Sequence, residues 1–267
     1  MRTFLFVRDL LPAKRRGAKH ALHQILLPDI TGVPASTGRT AVKDTVIFDL
    51  DGTLADTGAD LIAAANECFR VLGHESVLDP VADKLTAFHG GRAMLRLGFS
   101  RIGAGHGEAD VDRAYPDLLA YYGENIDRET TLYPGAMQAV AALSETNHAV
   151  GICTNKPEGL AETLLQKLGV RGAFGSLVGA DTLAVRKPDP ETFFEAVRRA
   201  GGNPARAVLV GDTETDLRTA RAAGCPVILV TFGPEGRGVA RLSPDALMAD
   251  YTELEDLVRR LLGQAPA

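Results

Sequence analysis

The feature of this chain that most constrains its fold is a regular alternation of short apolar segments with helical ones after residue 45. Five segments have the uninterrupted apolar character of parallel strands covered on both faces, at residues 45–49, 148–155, 175–181, 207–212 and 226–231. Helical patterns lie between them, at residues 136–145, 159–168, 190–200 and 216–223. Alternating strands and helices predict right-handed crossovers. We therefore predict an α/β fold with a doubly wound parallel sheet.

Residues 57–132 interrupt this alternation. Helical stretches such as "DLIAAANECFRVLG" follow one another there, and no segment reads convincingly as a strand. The region is too long for a single crossover between the first two strands, so we predict an inserted helical cap. The α/β core is then expected to consist of residues 44–56 and 133–267.

The first 43 residues differ in charge from the rest of the chain. They contain eight Lys/Arg and two acids, a net charge of +6, which leaves −11 on the other 224 residues because the whole chain carries −5. The acidic remainder argues against nucleic acid as a partner. We predict that residues 1–43 form a disordered basic extension ending in a small, polar linker at residues 31–40. An organelle-targeting peptide and an upstream start codon stay open as alternatives.

Apolar content and cysteine usage limit the setting in which the protein works. No stretch of the sequence approaches the roughly 20 apolar residues of a membrane helix. The three cysteines, Cys68, Cys153 and Cys225, are far apart and do not form metal-binding pairs. Such a pattern is typical of reduced structural thiols. We expect a cytoplasmic protein without a membrane partner, either monomeric or homodimeric.

Two aspartates, Asp49 and Asp51, follow the first predicted strand in "TVIFDLDGTLADT". Two carboxylates close together in a poorly solvated place repel each other unless a cation lies between them. A turn or a helix cap could also use acidic residues, but neither explains two acids at the end of a buried strand. The pair therefore indicates a functional site.

Polar residues also follow the other predicted strands. Thr154 and Asn155 end the second strand, "GDTETD" places Asp212 and Asp216 after the fourth, and Lys187 lies in the loop after the third. Ligands of open α/β sheets bind beyond the carboxyl ends of the strands. Together these residues would supply carboxylates, a hydroxyl group and a cation, a set suited to a divalent metal and a phosphate group.

Four segments in order, "DLDGT", "CTN", "RKPDP" and "GDTETD", resemble the four motifs of the haloacid dehalogenase-like (HAD) superfamily. The resemblance covers about residues 45–262, and the helical insertion lies where that superfamily carries its first type of cap. It implies that Asp49 is a nucleophile that forms an aspartyl-phosphate. Asp51 would act as general acid and then as general base.

The same resemblance implies Mg²⁺ as cofactor. Asp49, the backbone carbonyl of Asp51, Asp212 and Asp216 would form the oxygen shell that this ion prefers. Asp216 could instead orient Lys187 or a metal-bound water, or be a first-turn acid favoured by the helix dipole.

The phosphoryl group has its own expected partners. Thr154 and Asn155 would hydrogen-bond its oxygens, and Lys187 would offset its charge. Taken alone, Thr154 also reads as an ordinary strand residue, and Lys187 as a surface lysine.

The insertion contains one segment of interest, "FHGGRAML" at residues 88–95. We predict a loop there, in which Arg92 and His89 are candidates for binding the carboxylate of a substrate. An exposed arginine next to a helix C-cap is the alternative interpretation.

Within the superfamily, "DLDGTLADT", "YPGA" and "GDTETDLRTARAAG" most resemble bacterial phosphoglycolate phosphatases. The resemblance implies a Mg²⁺-dependent phosphatase acting on a small phosphorylated metabolite, with 2-phosphoglycolate first. Asp51 argues against a dehalogenase, and the setting of Lys84 argues against a phosphonatase. A phosphatase or phosphomutase acting on a sugar phosphate or on pyrophosphate stays open. A non-catalytic binding protein on the same fold is the remote alternative.

Overall fold

The computed structural model describes residues 43–103 and 105–263. Its strands, in chain order, are β1 (Lys43–Phe48), β2 (Ala55–Asp56), β3 (Thr131–Leu132), β4 (Ala149–Cys153), β5 (Ser176–Val178), β6 (Gly202–Gly211), β7 (Val227–Val230) and β8 (Ala246–Met248). Its helices are α1 (Gly58–Val71), α2 (Lys84–Phe88), α3 (Gly91–Ile102), α4 (Glu108–Glu124), α5 (Ala136–Glu145), α6 (Glu158–Lys167), α7 (Pro190–Arg199), α8 (Glu214–Ala223) and α9 (Leu254–Gly263).

Six of these strands form one parallel sheet in the order β5-β4-β1-β6-β7-β8. Successive residues of a strand point to opposite faces. Val46 and Phe48 accordingly lie in the apolar core shared with α5, α6 and α9. Ile47, between them, packs in a second core with α7 and α8. Helices therefore cover both faces, and the predicted doubly wound parallel sheet is confirmed.

The predicted elements agree with the structure most closely where the apolar pattern is longest. Helix α5 has the predicted bounds, and α6, α7 and α8 differ from prediction by one or two residues. Strand β6 begins five residues before its prediction because it extends along the edge of β1 as far as Lys43. The sequence prediction assigned no strand or helix after residue 231, where the structure adds β8 and α9.

The insertion leaves and rejoins the core through a ribbon in which β2 and β3 pair antiparallel. Four helices, α1 to α4, lie between these two strands. The buried Asp60 on α1 closes the base of the insertion, because its carboxylate accepts bonds from Glu129 N (3.0 Å), Thr130 N (3.0 Å) and Thr130 Oγ1 (2.8 Å). Strand β3 lies inside residues 57–132, where no strand was predicted. The domain boundaries themselves stay a prediction.

Some predictions fall on residues outside the described ranges. The basic extension (1–43) and the linker (31–40) precede the described part, except that Lys43 begins β1.

Cys68, Cys153 and Cys225 are all buried and without a disulfide. None of the described helices combines the length and the apolar character needed to cross a membrane.

Two helical glycines give a test of how tightly the insertion packs. A Cβ atom on Gly98 of α3 would lie 2.1 Å from the ring of Phe69 on α1, whereas one on Gly159 of α6 would meet nothing within 4 Å. We expect Gly98→Ala to lower the free energy of unfolding by about 1–3 kcal/mol through overpacking. Gly159→Ala should be neutral or raise it by up to about 1 kcal/mol. Urea unfolding followed by circular dichroism suits a chain without tryptophan. Equal effects of the two substitutions would contradict the packing described here.

Candidate active site

The loops that follow β1, β4, β5 and β6 meet at the carboxyl edge of the sheet. The chain turns from β1 toward β4 and from β6 toward β7 on the opposite side, so the strand order reverses between β1 and β6. Such a reversal opens a crevice suited to a ligand. A cavity of about 680 Å³ lies there, between the sheet edge and the helical insertion. Eight of the nine predicted site residues line it: Asp49, Asp51, His89, Arg92, Thr154, Asn155, Lys187 and Asp212.

Lys187 joins two of the predicted carboxylates. Its Nζ atom lies 3.1 Å from Asp49 Oδ2 and donates a hydrogen bond to Asp216 Oδ1 at 2.7 Å. Only 2% of the lysine side chain is exposed, so the ammonium exchanges solvent for these two acids. Burial alone would lower the pKa of Lys187, but the charges of Asp216 and Asp49 together raise it above its ordinary value. The ammonium is therefore a permanent positive charge beside Asp49.

Asp49 lies directly after β1, the central strand of the site. Its Oδ1 accepts a hydrogen bond from Leu50 N at 2.7 Å. Burial, followed by the nearby charges of Asp216 and Asp51, raises the pKa of Asp49 to about 6, although Lys187 opposes the shift. In the metal-free protein this carboxylate is therefore less readily ionised than an ordinary aspartate. A further positive charge would be needed to hold it fully ionised at neutral pH.

Asp49, Asp212 and Asp216 form a buried group in which one carboxylate oxygen of each lies within 4.8 Å of the others. Burial, followed by the charges of Asp216 and Asp49, raises the pKa of Asp212 well above its ordinary value. Hard oxygen donors with like charges at this spacing fit a small divalent cation such as Mg²⁺. Gly52, with φ +82°, allows the approach, since a Cβ atom there would lie 2.4 Å from Asp212 Oδ2.

Asp216 is the predicted site residue that does not line the cavity. It occupies the third position of α8 in a capping box with Thr213, whose Oγ1 donates to Asp216 Oδ2 at 2.7 Å. The backbone N–H groups of Thr213 and Asp212 also donate to that oxygen, while Oδ1 accepts from Lys187. Both oxygens are thus engaged within the protein. This arrangement favours Asp216 as the residue that orients Lys187, and its role as a metal ligand stays a prediction.

The side chain of Asp51 is not part of the three-carboxylate group and is held by two other residues. Thr57 Oγ1 donates to Asp51 Oδ1 at 2.8 Å, and Lys156 Nζ donates to both carboxylate oxygens, at 2.9 and 3.1 Å. The same Nζ contacts the hydroxyl of Tyr122 on α4 at 2.6 Å. Burial alone would lower the pKa of Lys156, but Asp51 and Tyr122 together raise it above its ordinary value.

Lys156, Thr57 and Tyr122 are functional candidates that the sequence prediction did not include. Lys156 directly follows Thr154 and Asn155, so its position after β4 was an available signal. A lysine just past a strand is usually exposed, and nothing in the local sequence shows that this one is buried.

Thr154 and Asn155 occupy the predicted positions at the end of β4. The buried Thr154 Oγ1 accepts a hydrogen bond from Lys156 N at 3.2 Å, which leaves the hydroxyl hydrogen to donate into the cavity. Asn155 is exposed, and its Nδ2 donates to Lys187 O at 3.1 Å. The asparagine therefore ties the loop after β4 to the loop that carries Lys187.

The predicted loop at residues 88–95 is much shorter in the structure, because only His89 and Gly90 separate α2 from α3. His89 is exposed at the end of α2. Arg92 lies in the first turn of α3, where its guanidinium pairs with Asp112 at 2.5 Å and lies 4.6 Å above the ring of Tyr115. Both predicted cap residues thus face the cavity, but Arg92 already has an anionic partner.

Comparison with known proteins gives consistent matches over most of the chain. Residues 46–230 match the family of haloacid dehalogenase-like hydrolases. The chain is 36% identical over 221 residues to a phosphoglycolate phosphatase from Mesorhizobium japonicum, covering 82% of this chain and 97% of that one. It is 38% identical over 211 residues to a phosphoglycolate phosphatase from Agrobacterium fabrum, covering 78% and 89%.

Solved structures share the fold as well. A crystal structure described as a predicted phosphoglycolate phosphatase from Haemophilus somnus superimposes with a TM-score of 0.72 at 24% identity. The match covers 80% of this chain and 97% of that one. At this identity the likeness shows a common fold.

The repulsion among the buried acids gives a prediction for the metal-free protein. Asp212→Asn keeps an oxygen for Thr53 Oγ1, which donates to Asp212 Oδ1 at 3.0 Å, and removes one negative charge. We expect a higher melting temperature in EDTA at pH 7, by about 2–4 °C for each kcal/mol gained in a chain of this size. The gain should shrink near pH 4, because an aspartate there begins to bind a proton in the unfolded state as well as in the folded one, so that its raised folded pKa costs less stability. Differential scanning calorimetry at both pH values measures this difference.

Asp216→Asn is the matched control, since it removes the same charge from the same group but also weakens the partner of Lys187. We expect it to lower the melting temperature. A rise as large as that of Asp212→Asn would contradict the structural role given to Asp216.

Proposed function

The chain belongs to the haloacid dehalogenase-like hydrolases, and from this premise we propose that it hydrolyses 2-phosphoglycolate to glycolate and phosphate through an aspartyl-phosphate on Asp49. That it is a hydrolase of phosphoric monoesters follows from its family and its relatives. One observation carries the mechanism. Asp49 is a buried carboxylate in the cavity, with the ammonium of Lys187 at 3.1 Å and Asp212 close enough to share a cation.

In the first half-reaction an Asp49 oxygen would attack phosphorus, and the bond from phosphorus to the ester oxygen would break. Asp51, two residues further on, would give its proton to the departing alkoxide, so that the product leaves as an alcohol. Thr154 can donate its hydroxyl hydrogen to a phosphoryl oxygen, and Lys187 balances the negative charge gathered there.

In the second half-reaction the aspartyl-phosphate would be hydrolysed. Asp51, now a carboxylate, would take a proton from water, the water oxygen would bond to phosphorus, and Asp49 would leave as a carboxylate. The raised pKa of Asp49 in the metal-free protein supports a requirement for a cation. Asp49, Asp212 and the carbonyl oxygen of Asp51 would hold Mg²⁺, which when bound keeps Asp49 ionised and offsets charge on the phosphoryl group.

The choice of 2-phosphoglycolate is supported by the names of the two relatives and by the share of their length that the chain matches, 97% and 89%. A sugar phosphate is the second candidate, because the cavity is large. The cavity volume of about 680 Å³ is of the order usual for drug-sized ligands and exceeds what 2-phosphoglycolate needs.

The nucleophile and the substrate can be tested in one set of rates. We expect wild-type kcat/KM for 2-phosphoglycolate to exceed the values for p-nitrophenyl phosphate, sugar phosphates and pyrophosphate. Asp49→Asn should abolish turnover of all of them, because the amide cannot attack phosphorus, a loss of at least about 10⁴-fold. Asp44→Asn is the matched control, since Asp44 lies on the same strand but pairs with Arg206 on the surface. Retained activity of Asp49→Asn would refute the mechanism. A higher kcat/KM for a sugar phosphate than for 2-phosphoglycolate would refute 2-phosphoglycolate as the substrate.

The metal requirement gives a second test. EDTA should abolish turnover, Mg²⁺ should restore it, and Ca²⁺ should inhibit because it takes more ligands at longer distances. Asp212→Ala should raise the Mg²⁺ concentration for half-maximal rate by about tenfold or more, since one charged ligand is lost. Asp44→Asn should leave that concentration unchanged. An unaltered titration of Asp212→Ala would remove Asp212 from the metal site.

A further inference from the structure

We propose that Lys156 and Tyr122 form the subsite that receives the carboxylate of the substrate, an inference that rests on the proposed function. The ammonium comes from the loop after β4, and the hydroxyl comes from α4 of the insertion. The carboxylate would lie between the core and the insertion, beside Asp51.

The reaction proposed for Asp51 indicates where the carboxylate of the substrate would lie. To give a proton to the departing alkoxide, Asp51 must lie within hydrogen-bond distance of the ester oxygen. In 2-phosphoglycolate a single methylene separates that oxygen from the carboxyl carbon. A group bonded to Asp51 is therefore next to the place of the substrate carboxylate. Lys156 is such a group, with its Nζ atom 2.9 and 3.1 Å from the two Asp51 oxygens.

The environment of Lys156 is suited to binding an anion strongly. Its side chain is only 3% exposed, although the residue lines the cavity. A charge-assisted bond gains strength where water is excluded. An ammonium has three N–H donors, so it can keep Tyr122 and one Asp51 oxygen while a substrate oxygen replaces the longer contact at 3.1 Å.

Tyr122 would supply the second donor. Its oxygen accepts from Lys156, and among the described residues its hydroxyl hydrogen has no acceptor. Burial is the main reason why the pKa of Tyr122 rises to about 12, so the phenol keeps its proton. That hydrogen is available to a carboxylate oxygen beside Lys156.

The arginines that line the cavity on the insertion side are less suited to this role. Arg92 is paired with Asp112 and has 42% of its side chain exposed. Arg96 is paired with Glu108 and is 51% exposed. Neither contacts Asp51, and each would have to leave an anionic partner to reach a substrate in water-accessible surroundings.

The test compares 2-phosphoglycolate with 2-hydroxyethyl phosphate, which has the same ester group and a neutral hydroxymethyl in place of the carboxylate. The measured quantity is the ratio of kcat/KM for the two esters. We expect wild type to favour 2-phosphoglycolate, Lys156→Met to lower the ratio about 10- to 100-fold, and Tyr122→Phe to lower it about two- to tenfold. Using a ratio cancels any general loss caused by disturbing Asp51. Lys167→Met is the control, since Lys167 pairs with Asp127 outside the cavity and should leave the ratio unchanged.

The outcomes separate this inference from the proposed function. A wild type that shows no preference refutes 2-phosphoglycolate as substrate and the subsite with it. A preference that survives both Lys156→Met and Tyr122→Phe refutes the subsite and leaves the function standing. A preference lost in Arg92→Met instead assigns the carboxylate to Arg92 and also overturns the inference. If Lys156→Met fails to fold by circular dichroism, Tyr122→Phe, which keeps every charge, decides.

Discussion

The contact on which the site depends is the buried ammonium of Lys187 between Asp49 and Asp216. It links the end of β1, the loop after β5 and the first turn of α8 through one atom. Removing one partner from a buried ion pair typically costs about 3–5 kcal/mol, because the other charge is left uncompensated. Among the described residues Asp212 has no ion-pair partner, and its Oδ1 accepts a hydrogen bond from Thr53 Oγ1. When all are ionised, the three carboxylates and Lys187 carry a net charge of −2, which a divalent cation would balance.

The core of this site was predictable because the carboxyl ends of parallel strands share one edge of a sheet. Asp49 and Asp212 follow the adjacent strands β1 and β6, so an apolar pattern ending in an acid was enough to bring them together. Lys187 could be added because it lies in the loop between the third and fourth predicted strands, within the motif "RKPDP". In each case the local sequence predicted the strand or helix next to the residue, and the geometry of a parallel sheet predicted which of these residues lie close together.

The insertion was harder to predict because no strand register positions its helices. Their orientation depends on contacts such as the ring of Phe69 against Gly98, which the spacing of apolar residues does not specify. Arg92 was expected in a loop, and it is in a helix because α3 begins at Gly91. Lys156 was missed for a related reason, since its partner Tyr122 is 34 residues away in a different part of the fold.

The ribbon of β2 and β3, closed by Asp60, has a consequence for how such proteins diversify. The chain leaves and returns at adjacent points, so the intervening segment can change in length at a small cost in loop-closure entropy. The register in which β1 and β4 pair can therefore stay the same when that segment is exchanged. Gene-level insertion, deletion or recombination between residues 61 and 128 would alter what is recognised above the sheet edge, while Asp49, Asp212 and Lys187, which all lie outside that segment, would be inherited unchanged.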